Sequence, residues 1–171
     1  MQLKRLLAID PGTRESAWVS LGMDGTVHGF GKVSNLQMLA IVMSHGSVDD
    51  ALAIERIASY GMAVGAEVFE TCVWTGRFIQ QWMHYSDMLH PSVVDVYRKD
   101  VKLHLCGSPR AKDANIRQAL IDRYGPGKDS AIGTKKNPGP LYGVKADIWA
   151  ALAVGVTTID TLGASHGLAT A

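Results

Sequence analysis

The order of apolar runs along this 171-residue chain predicts an α/β fold: one domain, a mixed sheet, and helices on both faces. Three observations carry that expectation. Two hairpin-linked strand patterns follow a short apolar run near the start, which makes an antiparallel meander. Later strand-like runs alternate with helical patterns, which makes parallel neighbours. At 47% hydrophobic and 19% charged, the chain can bury a sizeable core and is not a disordered or coiled-coil sequence.

Leu3 to Ile9 is a mostly apolar run stopped by Asp10-Pro11-Gly12, a buried strand ending in a turn. Ser16 to Leu21 resumes as a strand, Met23-Asp24-Gly25 signals a hairpin, and Thr26 to Val33 alternates as a third strand. Asn35 to His45 is predicted helical, ended by Gly46. Ala51 to Ile57 is an apolar fourth strand with one carboxylate, Glu55, near its end. Ala63 to Met88 is predicted as a long helix with two apolar faces. Val68, Cys72, Ile79 and Met83 mark one; Trp74, Phe78, Trp82 and Tyr85 mark the other. Two such faces exceed what a monomer core needs, so one is either a subunit contact or simply buried. Pro91 to Tyr97 is a fifth strand, Lys99 to Leu105 a short helix, and Ala111 to Tyr124 a helix closed by Gly125. Residues 125–143 form a Gly/Pro/Lys-rich loop, and Lys145 to Leu162 is a largely buried last helix. Residues 1–162 are thus one domain, and the small, polar tail 163–171 is expected to be disordered.

The net charge of +1 is a cancellation. Residues 1–97 carry six basic and ten acidic side chains, residues 98–136 ten and four, and the remainder one and two. A basic block beside an acidic region suits polyanion binding next to a carboxylate site, or else a soluble helix with a cationic face. No run of 18 apolar residues is present, so no membrane span is expected. Met1 to Arg5 leads straight into a strand pattern, without signal-peptide features. Cys72 and Cys106 lack CxxC spacing, and the six histidines form no HxH or HxxxH pair. A reduced, cytoplasmic protein without a zinc site is therefore expected.

Three carboxylates stand where apolar residues would be cheaper: Asp10 at a strand end, Glu55 within a strand, and Asp147 on the last helix. Each has a local account: a turn residue before Pro11-Gly12, a partner for Arg56, and a helix N-cap. Jointly, three acids on three different elements also suit hard divalent cations such as Mg²⁺ or Mn²⁺, which take oxygen ligands.

These segments resemble a known family. Leu-Ala-Ile-Asp10-Pro-Gly-Thr-Arg is similar to the first motif of the RuvC-type Holliday junction resolvases, which have the RNase H-like fold. Ala-Ile-Glu55-Arg resembles their second motif. Asp147-Ile-Trp-Ala-Ala-Leu-Ala-Val-Gly-Val-Thr resembles their last helix, and Tyr97 to Asn115 their basic segment. The likeness spans nearly the whole chain in order, and its spacing suggests a bacteriophage-type branch. It implies an RNase H-like mixed five-stranded sheet and a symmetric dimer that cuts four-way or branched DNA. Two Mg²⁺ or Mn²⁺ ions held by Asp10, Glu55 and Asp147 would hydrolyse the phosphodiester. The family carries two ligands three residues apart on the last helix; here Ala150 takes the second place, or Val144 the first if the alignment shifts. Glu67 or Glu70 is a candidate substitute, or a solvated helix residue.

The basic block supplies Arg98, Lys99, Lys102, Arg110, Lys112 and Arg117 as phosphate contacts, with Lys102 and Lys112 matching family lysines near the cleaved strand. Arg14 is a further phosphate candidate. Tyr60 either stacks on an unpaired base or packs in the core. Trp74, Phe78 and Trp82 are the candidate dimer face, since the family pairs through this helix. The competing readings are a branched-DNA-binding protein with weak or lost cutting, which Ala150 favours, and an RNA-processing nuclease of the same superfamily. Asp10-Pro-Gly12-Thr13 also resembles the phosphate loop of actin-like and sugar-kinase ATPases, but those close two domains around the nucleotide, which one domain of this length cannot do, and a second Gly-rich motif is absent from this sequence.

Overall fold

A computed structural model of the chain describes residues 3–46, 50–59, 61, 63–85 and 92–167. Five strands, β1 (Arg5–Asp10), β2 (Glu15–Gly22), β3 (Val27–Ser34), β4 (Asp50–Arg56) and β5 (Val93–Tyr97), form one sheet in the order β3-β2-β1-β4-β5. β1, β2 and β3 are the expected antiparallel meander, while β4 pairs parallel to both β1 and β5. Parallel neighbours need long crossovers. The helices α1 (Asn35–His45) and α2 (Ala66–Tyr85) lie in those two connections. At the far end from the site, Arg5 and Asp50 face each other in the β1–β4 register. There the guanidinium donates to both Asp50 oxygens, at 3.2 and 3.0 Å.

Side chains alternate across a strand, and the two faces build two separate cores. Leu6, Ala8, Ala17, Val19, Leu21, Ala51 and Ala53 meet the last helix, α6 (Ile148–Gly167), with Val101 of α3 (Arg98–Cys106) and Ile116, Leu120 and Ile121 of α4 (Asp113–Tyr124). Leu7, Ile9, Leu52 and Ile54 meet Met38 and Val42 of α1 and Phe78 and Trp82 of α2. The first face ends in Asp10 and Glu55, so the helix that packs on it also covers the candidate site.

α6 sits close on the sheet because Gly155 faces it. A Cβ there would lie 2.6 Å from Leu21 Cδ1 and 3.0 Å from Ala8 Cβ, and both residues are fully buried. Gly155→Ala is expected to lower stability by about 1–2 kcal/mol despite alanine's better helix propensity, because overpacking outweighs it. A denaturant titration checks this; a rise in midpoint would show slack between helix and sheet.

Several expectations are corrected. Phe78 and Trp82 are both 0% exposed, so these two are core and not a subunit face; Trp74 packs partly buried beside them, and the Tyr85 side chain lies outside the described residues. The exposed apolar residues of α2 are Phe69 at 64%, Val73 at 54% and Met83 at 41%. The loop 125–143 contains a short helix, α5 (Lys128–Ala131), and α6 continues past Leu162 to Gly167. Among the described residues no helix is long and apolar enough to cross a membrane.

Candidate active site

Ile9 lies opposite Ile54, which brings Asp10 and Glu55 side by side at the carboxyl ends of two parallel strands. That edge is where open α/β sheets bind ligands. The turn after Asp10 is braced rather than loose. Asn35 donates through Nδ2 to the Gly12 carbonyl at 2.9 Å and accepts from Ser16 Oγ at 2.7 Å. Gly12 is required there, since a side chain would run into the Glu15 carbonyl oxygen.

Burial pushes the Asp10 carboxyl up to about 7. The negative charges of Glu55 and Asp147 push in the same direction, against the smaller opposing effects of Arg98 and Lys32. Burial also raises Glu55, opposed by Arg98. Arg98 Nη1 stands 3.5 Å from Glu55 Oε2, yet that buried oxygen has no hydrogen-bond partner. Arg98 instead gives its short contact, 2.7 Å, to Asp113 in the first turn of α4. Arg56 pairs with Asp95, not with Glu55, because neighbouring strand residues point to opposite faces.

Asp147 directly precedes α6, and its carbonyl accepts the amides of Ala150 and Ala151, as an N-cap residue's does. Ala146 before it holds φ at 46°, a left-handed conformation costly for a non-glycine residue. The Asp147 carboxylate is half-exposed and engaged by Lys32 Nζ at 2.7 Å, with Glu15 3.7 Å away on the same ammonium. The hydrogen bond to Asp147 raises the Lys32 pKa.

Glu55 and Asp147 thus both act electrostatically on Asp10. Among the described residues, however, no group of three acidic, histidine or cysteine side chains is arranged to hold a metal ion. Two partly buried carboxylates, one with an orphaned oxygen, are a donor set that fits one hard divalent cation at Asp10 and Glu55. Asp147 is committed to Lys32. The expected two-ion arrangement does not fit these residues as placed. Glu67 and Glu70 are exposed on α2, against the opposite face of the sheet, and do not substitute. Val144 is buried in the core and is not a ligand; Ala150 presents only a methyl group.

Of the expected phosphate contacts, Arg98, Lys99 and Lys102 line a cleft of about 400 Å³ with Pro109, and Lys102 acts electrostatically on Glu55. Lys112 caps α4 beside Asp113, and Arg110 is exposed in the preceding loop. Arg117 stacks over the Trp149 ring of α6 at 4.9 Å. Arg14 is exposed in the braced turn, and Tyr60 lies outside the described residues. The sequence reading missed Lys32 and Asp113. Lys32 is identifiable only through register: Asp10 pairs with Ala17, and Ala17 with Lys32.

No protein-family model matches the chain, and no curated protein sequence matches it. Solved structures do. The Thermus thermophilus RuvC structure superposes with a TM-score of 0.63 at 15% identity, covering 93% of this chain and 96% of that one. T. thermophilus RuvC in complex with Holliday junction substrate gives 0.63 at 15% identity, covering 90% and 92%. The chain has the RuvC-type, RNase H-like α/β fold along nearly its whole length.

Proposed function

We propose that this protein is a structure-specific endodeoxyribonuclease that cuts four-way or branched DNA by metal-dependent phosphodiester hydrolysis, acting as a dimer in the cytoplasm of a bacterial or phage-infected cell. The observation that carries this is the pairing of two partly buried carboxylates, Asp10 and Glu55, at adjacent parallel strand ends beside the Arg98/Lys99/Lys102 cleft. Burying two acids together is unfavourable for the empty protein, as the raised Asp10 pKa records, and a divalent cation reverses the sign. A bound Mg²⁺ or Mn²⁺ would activate water and stabilise the leaving oxygen. The protein's own part is to hold the phosphate and the strand in place. Arg98, Lys99 and Lys102 anchor the backbone next to the acids, and Lys112, Arg110 and Arg117 extend the basic surface along α4. Symmetric cutting needs two copies of the site. The exposed residues Phe69 and Val73 of α2, with Leu36 of α1, offer apolar surface for that pairing.

A labelled four-way junction in Mg²⁺ or Mn²⁺, compared with linear duplex and an RNA hairpin, tests the proposal. Paired symmetric incisions are expected in the junction alone, and Asp10→Asn is expected to remove them. Equal handling of junction and duplex would overturn it. A second reading is favoured by the Lys32–Asp147 pair and by Ala150: a branched-DNA-binding protein that cuts weakly or not at all. Tight junction binding without incision is its signature, with cutting restored by Ala150→Asp.

A further inference from the structure

We infer that Lys32 is a built-in cation of this site, filling the charge position of a second divalent ion, so that each protomer binds one divalent ion rather than two. The inference rests on the nuclease reading of Asp10 and Glu55 but adds a residue and a stoichiometry to it.

The register puts Lys32 there. Asp10, Ala17 and Lys32 lie in one row across β1, β2 and β3, on the face that carries α6. Two strand spacings separate Lys32 from Asp10, about 10 Å between backbones. Ala17 between them is small and buried, and Lys32 and Asp10 act on each other electrostatically across it. Its ammonium ends 2.7 Å from Asp147 Oδ2 and 3.7 Å from Glu15 Oε2. An ion sharing Asp147 would have to displace it.

Charge balance points the same way. Asp10, Glu15, Glu55, Asp113 and Asp147, when ionised, face Lys32, Arg98 and Lys102, which leaves two negative charges, and Lys99 of the same cleft offsets the one charge of a bound phosphodiester. One divalent ion neutralises that remainder and a second overshoots it. Ala150 fits this count. It lies one turn along α6 from Asp147, on the same side of the helix. A carboxylate there would restore the charge that a second ion requires, but the methyl supplies none. Lys32 therefore offers the incoming phosphate a fixed positive charge from the β3 side, opposite Arg98 on the β5 side.

Counting Mn²⁺ tests this without depending on cutting. Free Mn²⁺ is followed by electron paramagnetic resonance as it is titrated into the protein bound to a four-way junction with phosphorothioate linkages at its centre, and the Mn²⁺ taken up by the junction alone in a parallel titration is subtracted. One Mn²⁺ per protomer is expected for wild type. Lys32→Met is expected to admit a second ion weakly, and Lys32→Met with Ala150→Asp to bind two within the same concentration range. Wild type binding two ions, wild type binding none, or both variants remaining at one ion would each overturn the inference. Lys32 is partly exposed, so the single variant is expected to fold, which a melting curve verifies. Cutting by wild type with two ions bound would sink this inference and leave the nuclease reading standing. One ion bound without cutting of an unmodified junction does the reverse.

Discussion

At pH 8, without divalent cations, Asp10→Asn is expected to melt roughly 10 °C above the wild-type protein, although it removes the residue on which the proposed cutting depends. The Asp10 carboxyl titrates near 7 in the folded protein and near 3.8 in the unfolded chain. The folded state therefore holds its proton more tightly. The stability this provides is fully present below about 3.8 and is lost as pH rises through about 7. Above that, the folded protein carries an ionised acid that burial and two neighbouring carboxylates disfavour. The difference between 3.8 and about 7 corresponds to about 4 kcal/mol. At about 3 °C per kcal/mol for a chain of this size, that gives the stated shift. Asparagine has the same shape and no charge, so it removes the penalty. Two controls identify the cause. At pH 4, where Asp10 is protonated, the two proteins are expected to converge. Adding Mg²⁺ at pH 8 is expected to raise the wild-type melting temperature and leave the variant unchanged, since a ligand stabilises only the form that binds it. A melting difference that does not vary between pH 4 and pH 8 would show that desolvation of Asp10 is not what limits stability.

The sequence revealed most where a local rule applies. α1 was bounded correctly at Asn35 and His45, and Ser34 and Gln37 form the capping box that starts it. The five strands followed from apolar runs and turn residues, and their mixed pairing from the spacing between them. Asp10 and Glu55 stood out because an acid in a buried strand is costly. What escaped depended on which elements meet. Glu55 was matched with Arg56 by adjacency, although strand alternation already separates those two; its actual neighbour, Arg98, begins α3 after β5. Lys32 looks like an ordinary β3 residue until two registers place it in line with Asp10. The short helix α5 lies inside a Gly/Pro-rich loop and is one turn long, too short for a periodic signal. The two faces of α2 were both legible, but which one faces the sheet was not. In the structure Phe78 and Trp82 fill the core with Ile79 packed against it, while Cys72 and Met83 face outward.

That assignment gives the second large effect. Trp82→Glu is expected to leave no folded protein at neutral pH, whereas Phe69→Glu is expected to change stability by no more than about 0.5 kcal/mol. Trp82 is enclosed with Phe78 by Leu7, Ile9, Leu52 and Ile54 from the sheet and by Met38 and Val42 from α1. Truncating a buried indole to alanine costs about 3–5 kcal/mol. Glutamate adds to that lost volume an unpaired charge in an apolar core, which costs several kcal/mol more. The total is comparable with the whole stability of a typical domain, about 5–15 kcal/mol. Trp82→Phe separates volume from polarity. The indole N–H is buried without a hydrogen-bond partner, so phenylalanine loses little besides ring size and is expected to cost under about 1.5 kcal/mol. Circular dichroism and sedimentation distinguish these outcomes from a subunit contact. If Trp82 lay between protomers, its glutamate variant would be a folded monomer with wild-type secondary structure, and that result would remove α2's aromatic stripe from the core. If the exposed side of α2 pairs the protomers, Phe69→Glu or Val73→Glu yields that folded monomer instead, with the sheet, the acids and the basic cleft intact.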